Sequence, residues 1–183
     1  MPGLNDIGEF GFIHRIQKQC LIRPQGIFKG IGDDAAAFWT NTDTLTLVTT
    51  DLLVERVHFL RDQASAFSLG WKALAVNMSD IAAMGGMARE AFVSLAIPKD
   101  CSLSYLDDLY QGMHAICCQF SVNILGGDTT ASKQDLIINV ALTGEVSHDE
   151  ILCREGSKPG DLICSTGCLG DSRAGLYLIV NNV

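Results

Sequence analysis

The strongest constraint on this chain is a single strand–helix–strand passage between residues 91 and 125. Residues 91–97 form an apolar run closed by Pro98, and a second short run occupies 121–125. Between them Leu103, Leu106, Leu109, Met113 and Ile116 recur at spacings of three and four, with Ser102 placed to cap the first turn. That order allows one crossover connection inside a sheet. The rest reads as paired strands, near 35–39 and 45–50 before the passage and about 136–146 after it. The 45–50 strand is expected to end at Asp51, and 121–125 to run into Gly126-Gly127-Asp128. Helices are predicted over 9–20, with Phe10, Ile13, Ile16 and Cys20 on one face and Asp6 as a cap upstream, and over 67–84, stopping at Gly85-Gly86. Paired strands at both ends favour an α+β fold over a doubly wound sheet: a mixed, largely antiparallel sheet with helices on one face. An open sheet of this kind needs its edge or exposed face covered, and dimerisation is one common way.

Residues 148–160 are polar and contain Gly156, Pro159 and Gly160, which marks a linker after a domain spanning 1–147. A strand at 161–166 and a helix from about 171 read as the start of a truncated second domain, because one strand and one helix make no core of their own. The 183 residues, 48% apolar, suffice for a core without disulfide or metal staples. Asp and Glu outnumber Lys and Arg by 21 to 13, and the net charge of −8 argues against a nucleic-acid partner. Seven cysteines without C-x-x-C spacing read as buried, reduced thiols. The N-terminus carries acids where a signal peptide carries bases, and no stretch approaches the ~20 apolar residues of a membrane span. The expectation is a soluble cytoplasmic protein.

Four carboxylate sites stand out by position. Asp33-Asp34 follows Gly30-Ile31-Gly32, Asp51 ends a strand, Asp80 lies between apolar Val76 and Met84 on a helix, and Asp128 follows Gly126-Gly127. Carboxylates beside apolar chain are costly when unpaired, and clustered ones repel unless a cation joins them. Magnesium suits such a set, since it takes oxygen ligands and bridges phosphates. The same aspartates also suit turns, strand ends and a satisfied buried position, so on pattern alone the two readings stay equally open. Phosphate-loop, dinucleotide, zinc and serine-hydrolase signatures are lacking.

Taken together, Gly30 to Ala36 (GIGDDAA), Thr49 to Phe59 (TTDLLVERVHF), Lys72 to Gly85 (KALAVNMSDIAAMG) and Gly126 to Thr130 (GGDTT) resemble the thiamine-monophosphate kinase family. That family sits in the superfamily of aminoimidazole ribonucleotide synthetase, selenophosphate synthetase and the hydrogenase maturation factor HypE. The resemblance runs from Gly8 to about Gly175. It implies ATP-dependent phosphorylation of thiamine phosphate to thiamine diphosphate, with several magnesium ions and no side-chain general base. Carried over by motif, the metal ligands are Asp34, Thr49, Thr50, Asp51, Asp80 and Asp128. Asp33 orients the loop. The nucleotide contacts are Tyr110, Gly127, Asp128 and Arg154, and His58 contacts the thiamine phosphate. The implied fold is that of the aminoimidazole ribonucleotide synthetase N-terminal domain, whose sheet closes a barrel across a homodimer. With its second domain only begun, the chain is expected to turn over weakly or not at all. The competing expectations are a non-catalytic module for dimerisation and metal or nucleotide binding, and a sibling ATP-using enzyme.

Overall fold

Ten elements make up the computed structural model, which describes residues 3–181. They are α1 (Leu4–Cys20), β1 (Ile27–Lys29), β2 (Ala36–Trp39), β3 (Thr44–Val54), α2 (Ala66–Ala83), β4 (Met87–Pro98), α3 (Leu103–Phe120), β5 (Asn123–Ser132), β6 (Ile137–Ser147) and α4 (Asp171–Asn181). The strands form one sheet in the order β1-β2-β3-β6-β4-β5. Every pairing is antiparallel except β4 with β5, the pair that α3 connects. The α+β reading holds, and the crossover is where the sequence places it.

The sheet is centred on β3 and β6, whose register runs unbroken from Thr44 opposite Ser147 to Val54 opposite Ile137. Burial alternates along both strands: Leu45, Leu47, Thr49 and Leu53 turn inward, as do Ile138, Val140, Leu142 and Val146. Helix α2 covers this face with Leu69, Leu74 and Ile81, and α3 packs on α2 through Leu109, Met113 and Ile116. Each such side chain, fully buried, contributes roughly 1.5–3 kcal/mol. The two helices meet backbone to backbone. A Cβ on Gly70 would lie 1.9 Å from the Leu109 carbonyl oxygen, and one on Gly112 would lie 1.9 Å from that of Phe67. Ser65 and Ser102 cap α2 and α3 by accepting the backbone N–H of Ser68 and Tyr105.

Several boundaries differ from the expectation. Asp51 does not end its strand, because β6 offers partners as far as Val54. Gly126-Gly127-Asp128 is not a turn but the middle of β5, hydrogen-bonded along β4. Gly127 has φ +152° and sits so close to β4 that a Cβ would lie 1.6 Å from the Val93 carbonyl oxygen. Helix α1 starts earlier than 9 and is broken at Gly8 (φ +64°), while Asp6 acts from inside the helix by accepting the Gly3 N–H at 2.7 Å. Residues 161–166 form no strand, since no neighbouring strand pairs with them, and Leu162 and Ile163 are exposed. All seven cysteines are free, yet only Cys117 is buried. Among the described residues no helix is long and apolar enough to cross a membrane.

Candidate active site

The alternation of β3 brings Thr49 onto the pleat that faces α2. There its hydroxyl donates to Asp80 Oδ2 at 2.8 Å. Asp80 is partly buried, and that burial pushes its carboxyl above the usual carboxylate range. The Thr49 hydrogen bond opposes the rise; the negative charges of Asp51 and Asp34 add to it. Three of the four expected aspartate sites therefore interact, through β3, α2 and the loop before β2.

That loop is held by Asp33. Its nearly inaccessible carboxylate accepts the Asp34 N–H at 3.1 Å and the Arg154 N–H at 3.3 Å, and lies 3.5 Å from Lys29 Nζ. Lys29 also binds Glu155 at 2.5 Å, and this contact raises its pKa. Arg154 places its guanidinium on Asp34 Oδ1, through Nε at 3.2 Å and more closely through Nη2. The residues around Arg154, read from sequence as linker, are thus tied into the site. Asp33 fills the loop-orienting place expected of it, whereas Lys29 and Glu155 carried no motif that would single them out.

A cleft of about 370 Å³ opens beside these groups. One wall is the Gly30–Ala36 loop with Thr49, Thr50 and Arg154; the other is α1, through Phe10, His14 and Gln17. The α1 wall was not legible as functional, since its residues fit an ordinary amphipathic helix. Thr50 points to the opposite pleat from Thr49, where Asn139 Nδ2 donates to its hydroxyl at 3.0 Å and to the Asp51 carbonyl at 3.1 Å.

Asp128 stands apart. Asp51 pairs with Val140, Val140 with Val93, and Val93 with Gly127. Three interstrand steps of ~4.8 Å put Gly127 about 14 Å from Asp51 along that row. Asp128 falls in the next row, with Ser94, Asn139 and Leu52, on the sheet face away from the helices. Tyr110 lies on α3, and burial raises its pKa; it does not line the cleft. His58 lies in the turn after β3 and lines a separate cavity. Among the described residues, no group of three or more His, Cys, Asp or Glu side chains is placed to hold a metal by itself. The expected ligand set is not preassembled, for a physical reason: bare carboxylates repel, and Arg154 neutralises Asp34.

Residues 32–146, more than half of the chain, span β2 to β5 and all but the last residue of β6, and match the family described as AIR synthase related protein, N-terminal domain. The chain belongs to this AIR synthase related family. Within the match lie Asp33, Asp34, Asp51, Asp80 and Asp128; Arg154 lies beyond it. The chain is 38% identical over 172 residues to the thiamine-monophosphate kinase of Bacillus subtilis, covering 94% of this chain and 53% of that protein. It is 39% identical over 177 residues to the thiamine-monophosphate kinase of Aquifex aeolicus, covering 97% and 54%. The solved structure of "AaThiL complexed with AMPPCP and TMP" superposes with a TM-score of 0.87 at 36% identity, over 100% of this chain and 56% of that one. The chain spans about half the length of the curated relatives it matches.

Proposed function

We propose that this chain supplies the metal- and nucleotide-phosphate side of a site that phosphorylates thiamine phosphate to thiamine diphosphate with ATP. The observation that carries the reading is the cluster of Asp34, Asp51 and Asp80 with the Thr49 hydroxyl, beside a cleft reached by Arg154. The resemblance of the chain to thiamine-monophosphate kinases, and to a structure described with an ATP analogue and TMP, supplies the substrates.

Both reactants of such a transfer are anions, so the protein's work is to position them and to offset their repulsion. The donor set is entirely hard oxygen, which suits magnesium; burial first, and then the charges of Asp51 and Asp34, make an ionised Asp80 costly, and a bound cation would offset that cost. Asp34, Asp51 and Asp80 would hold the ions, with the Thr49 hydroxyl beside them and Thr50 on the cleft wall; bound magnesium would neutralise phosphate charge and act as a Lewis acid. A preassembled cage is unnecessary, since magnesium keeps several waters and takes one or two carboxylates plus substrate phosphates. Arg154 would exchange Asp34 for a nucleotide phosphate, a partner its guanidinium fits equally well. The accepting phosphate is largely ionised at neutral pH and needs no side-chain base.

The position of Asp128 favours a homodimer within this reading. Asp128 and Gly127 lie ~14 Å across the sheet from Asp51, at its edge. Leu52, Phe92 and Phe38 are exposed on the face opposite the helices. A second copy covering that face would bury them and close a barrel shared across the dimer, with Asp128, which lies on the same face, at its interface. A reducing cytoplasm fits the free cysteines.

The test is chromatography of thiamine diphosphate after incubation with ATP, thiamine phosphate and magnesium. Slow, magnesium-dependent product that disappears in Asp51→Asn is the expected result. No product, with magnesium-dependent nucleotide binding retained, would restrict the chain to a binding module. Product unaffected by Asp51→Asn would overturn the assignment.

A further inference from the structure

Helix α3 carries a histidine and a cysteine one turn apart, His114 and Cys118, both exposed. A spacing of four stacks two side chains on one face of a helix. Cys118 Sγ lies 3.4 Å from His114 Nε2 and 3.9 Å from Nδ1. Among the described residues, each of these side chains is the other's only hydrogen-bond partner. Cys117, next in the chain, differs: it is buried, and burial pushes its thiol up, so it keeps its proton. Beside the exposed pair a recess of about 540 Å³ opens between the end of α3 and the start of β5. His114 and Cys118 line it with Ser121 and Asn123, and no Lys or Arg does.

We propose that His114 and Cys118 form a two-ligand site for a thiophilic divalent cation of the zinc class, with water completing its coordination. A tetrahedral ion with bonds of ~2.3 Å to thiolate sulfur and ~2.0 Å to imidazole nitrogen holds those two atoms about 3.5 Å apart. The pair already stands at 3.4 Å. Cys118 lies in the last turn of α3, which ends at Phe120. There the free carbonyls form the negative end of the helix dipole, which favours a cation and disfavours a bare thiolate. That sign decides between the two uses of an exposed Cys–His pair: a metal-bound sulfur fits this position, and a free nucleophile does not. No basic side chain lines the recess to repel the ion, and the chain carries −8. Binding is a proton exchange. The Cys118 thiol loses its proton to solvent as the metal–sulfur bond forms, and neutral His114 offers the Nε2 lone pair while its proton stays on Nδ1. Thiolate and imidazole select zinc, whereas the all-oxygen aspartate cluster suits magnesium. The site is therefore separate in chemistry from that cluster, and it does not rest on the reaction proposed above.

Calorimetric titration of the reduced 183-residue chain with zinc chloride tests this, in excess magnesium so that hard-oxygen sites stay occupied. Cobalt(II) serves as a second probe, read by its thiolate-to-metal charge-transfer absorption. The variants are Cys118→Ser and His114→Gln; both residues are exposed, so neither change touches the core. The double variant Cys164→Ser, Cys168→Ser removes the other exposed cysteine pair at a spacing of four. The wild type and the double variant are each expected to bind a zinc ion with release of a proton, and to show the cobalt band. Cys118→Ser, made in the double variant, should abolish the band, and His114→Gln in the same background should weaken zinc by at least about tenfold. Zinc binding unchanged in His114→Gln overturns the proposal, since the thiol would then bind alone. Loss of binding in the double variant overturns it by placing the ion on Cys164 and Cys168, and a wild type that binds neither metal overturns it outright.

Discussion

Asp80 holds the site's chemistry and its instability in one side chain. Its folded pKa is raised, so at pH values between the ordinary carboxylate range and that raised value the folded chain binds more protons than the unfolded one. Stability therefore falls as pH rises through that window, and a constant cost remains above it. Asp80→Asn is expected to raise Tm slightly at neutral pH without metal, to leave it nearly unchanged at acid pH, and to abolish magnesium-dependent nucleotide binding. Thermal melts across pH check the first two and calorimetry the third; a lower Tm at neutral pH would contradict the cost of an ionised Asp80, which burial sets first and the charges of Asp51 and Asp34 increase. Thr49→Val removes the donor that supports ionised Asp80 and should weaken magnesium-dependent binding by about tenfold. At this scale the sequence was informative for a definite reason: an aspartate flanked by Val76 and Met84 on an apolar helix is costly unless something uses it. The Arg154–Asp34 and Lys29–Asp33 contacts were not legible, because their partners lie more than a hundred residues away or inside one short loop.

The long, periodic elements were legible and the short or crowded ones were not. The spacing from Leu103 to Ile116, with Ser102 before it, located α3 and its first residue, since a stripe at three-to-four spacing fits no strand. Strand β1 has only three residues and no alternation to read. The sequence of β5 looks like a turn because Gly126-Gly127-Asp128 is turn chemistry; what it encodes is the close approach of β4, which no side chain at Gly127 would permit. The same kind of constraint governs the helix pair. Alanine at Gly112 should gain helix propensity, ~1 kcal/mol, yet its Cβ would strike the Phe67 carbonyl and prise α2 from α3. Overpacking wins, and Gly112→Ala is expected to destabilise the fold by about 1–3 kcal/mol in denaturant titration. A stabilised variant would mean that the two helices do not meet as described.

For the whole molecule the informative feature is an open sheet. The sequence favoured helices on one face, which α2 and α3 confirm, but nothing in its periodicity tells what covers the other. Leu52, Phe92 and Phe38 on that face and Asp128 at the edge together argue for a second copy. Leu52→Asp is expected to give monomers in sedimentation at micromolar concentration and to weaken magnesium-dependent nucleotide binding with them. A wild-type monomer would remove the shared-site reading. The most direct test of the central claim, that Asp34, Asp51 and Asp80 form a phosphate site through magnesium, is calorimetric titration with a non-hydrolysable ATP analogue, with and without magnesium, in wild type and Asp51→Asn. Binding that requires magnesium and falls at least about tenfold in Asp51→Asn is the expected result. Equal affinity without magnesium, or an unchanged Asp51→Asn, would contradict it.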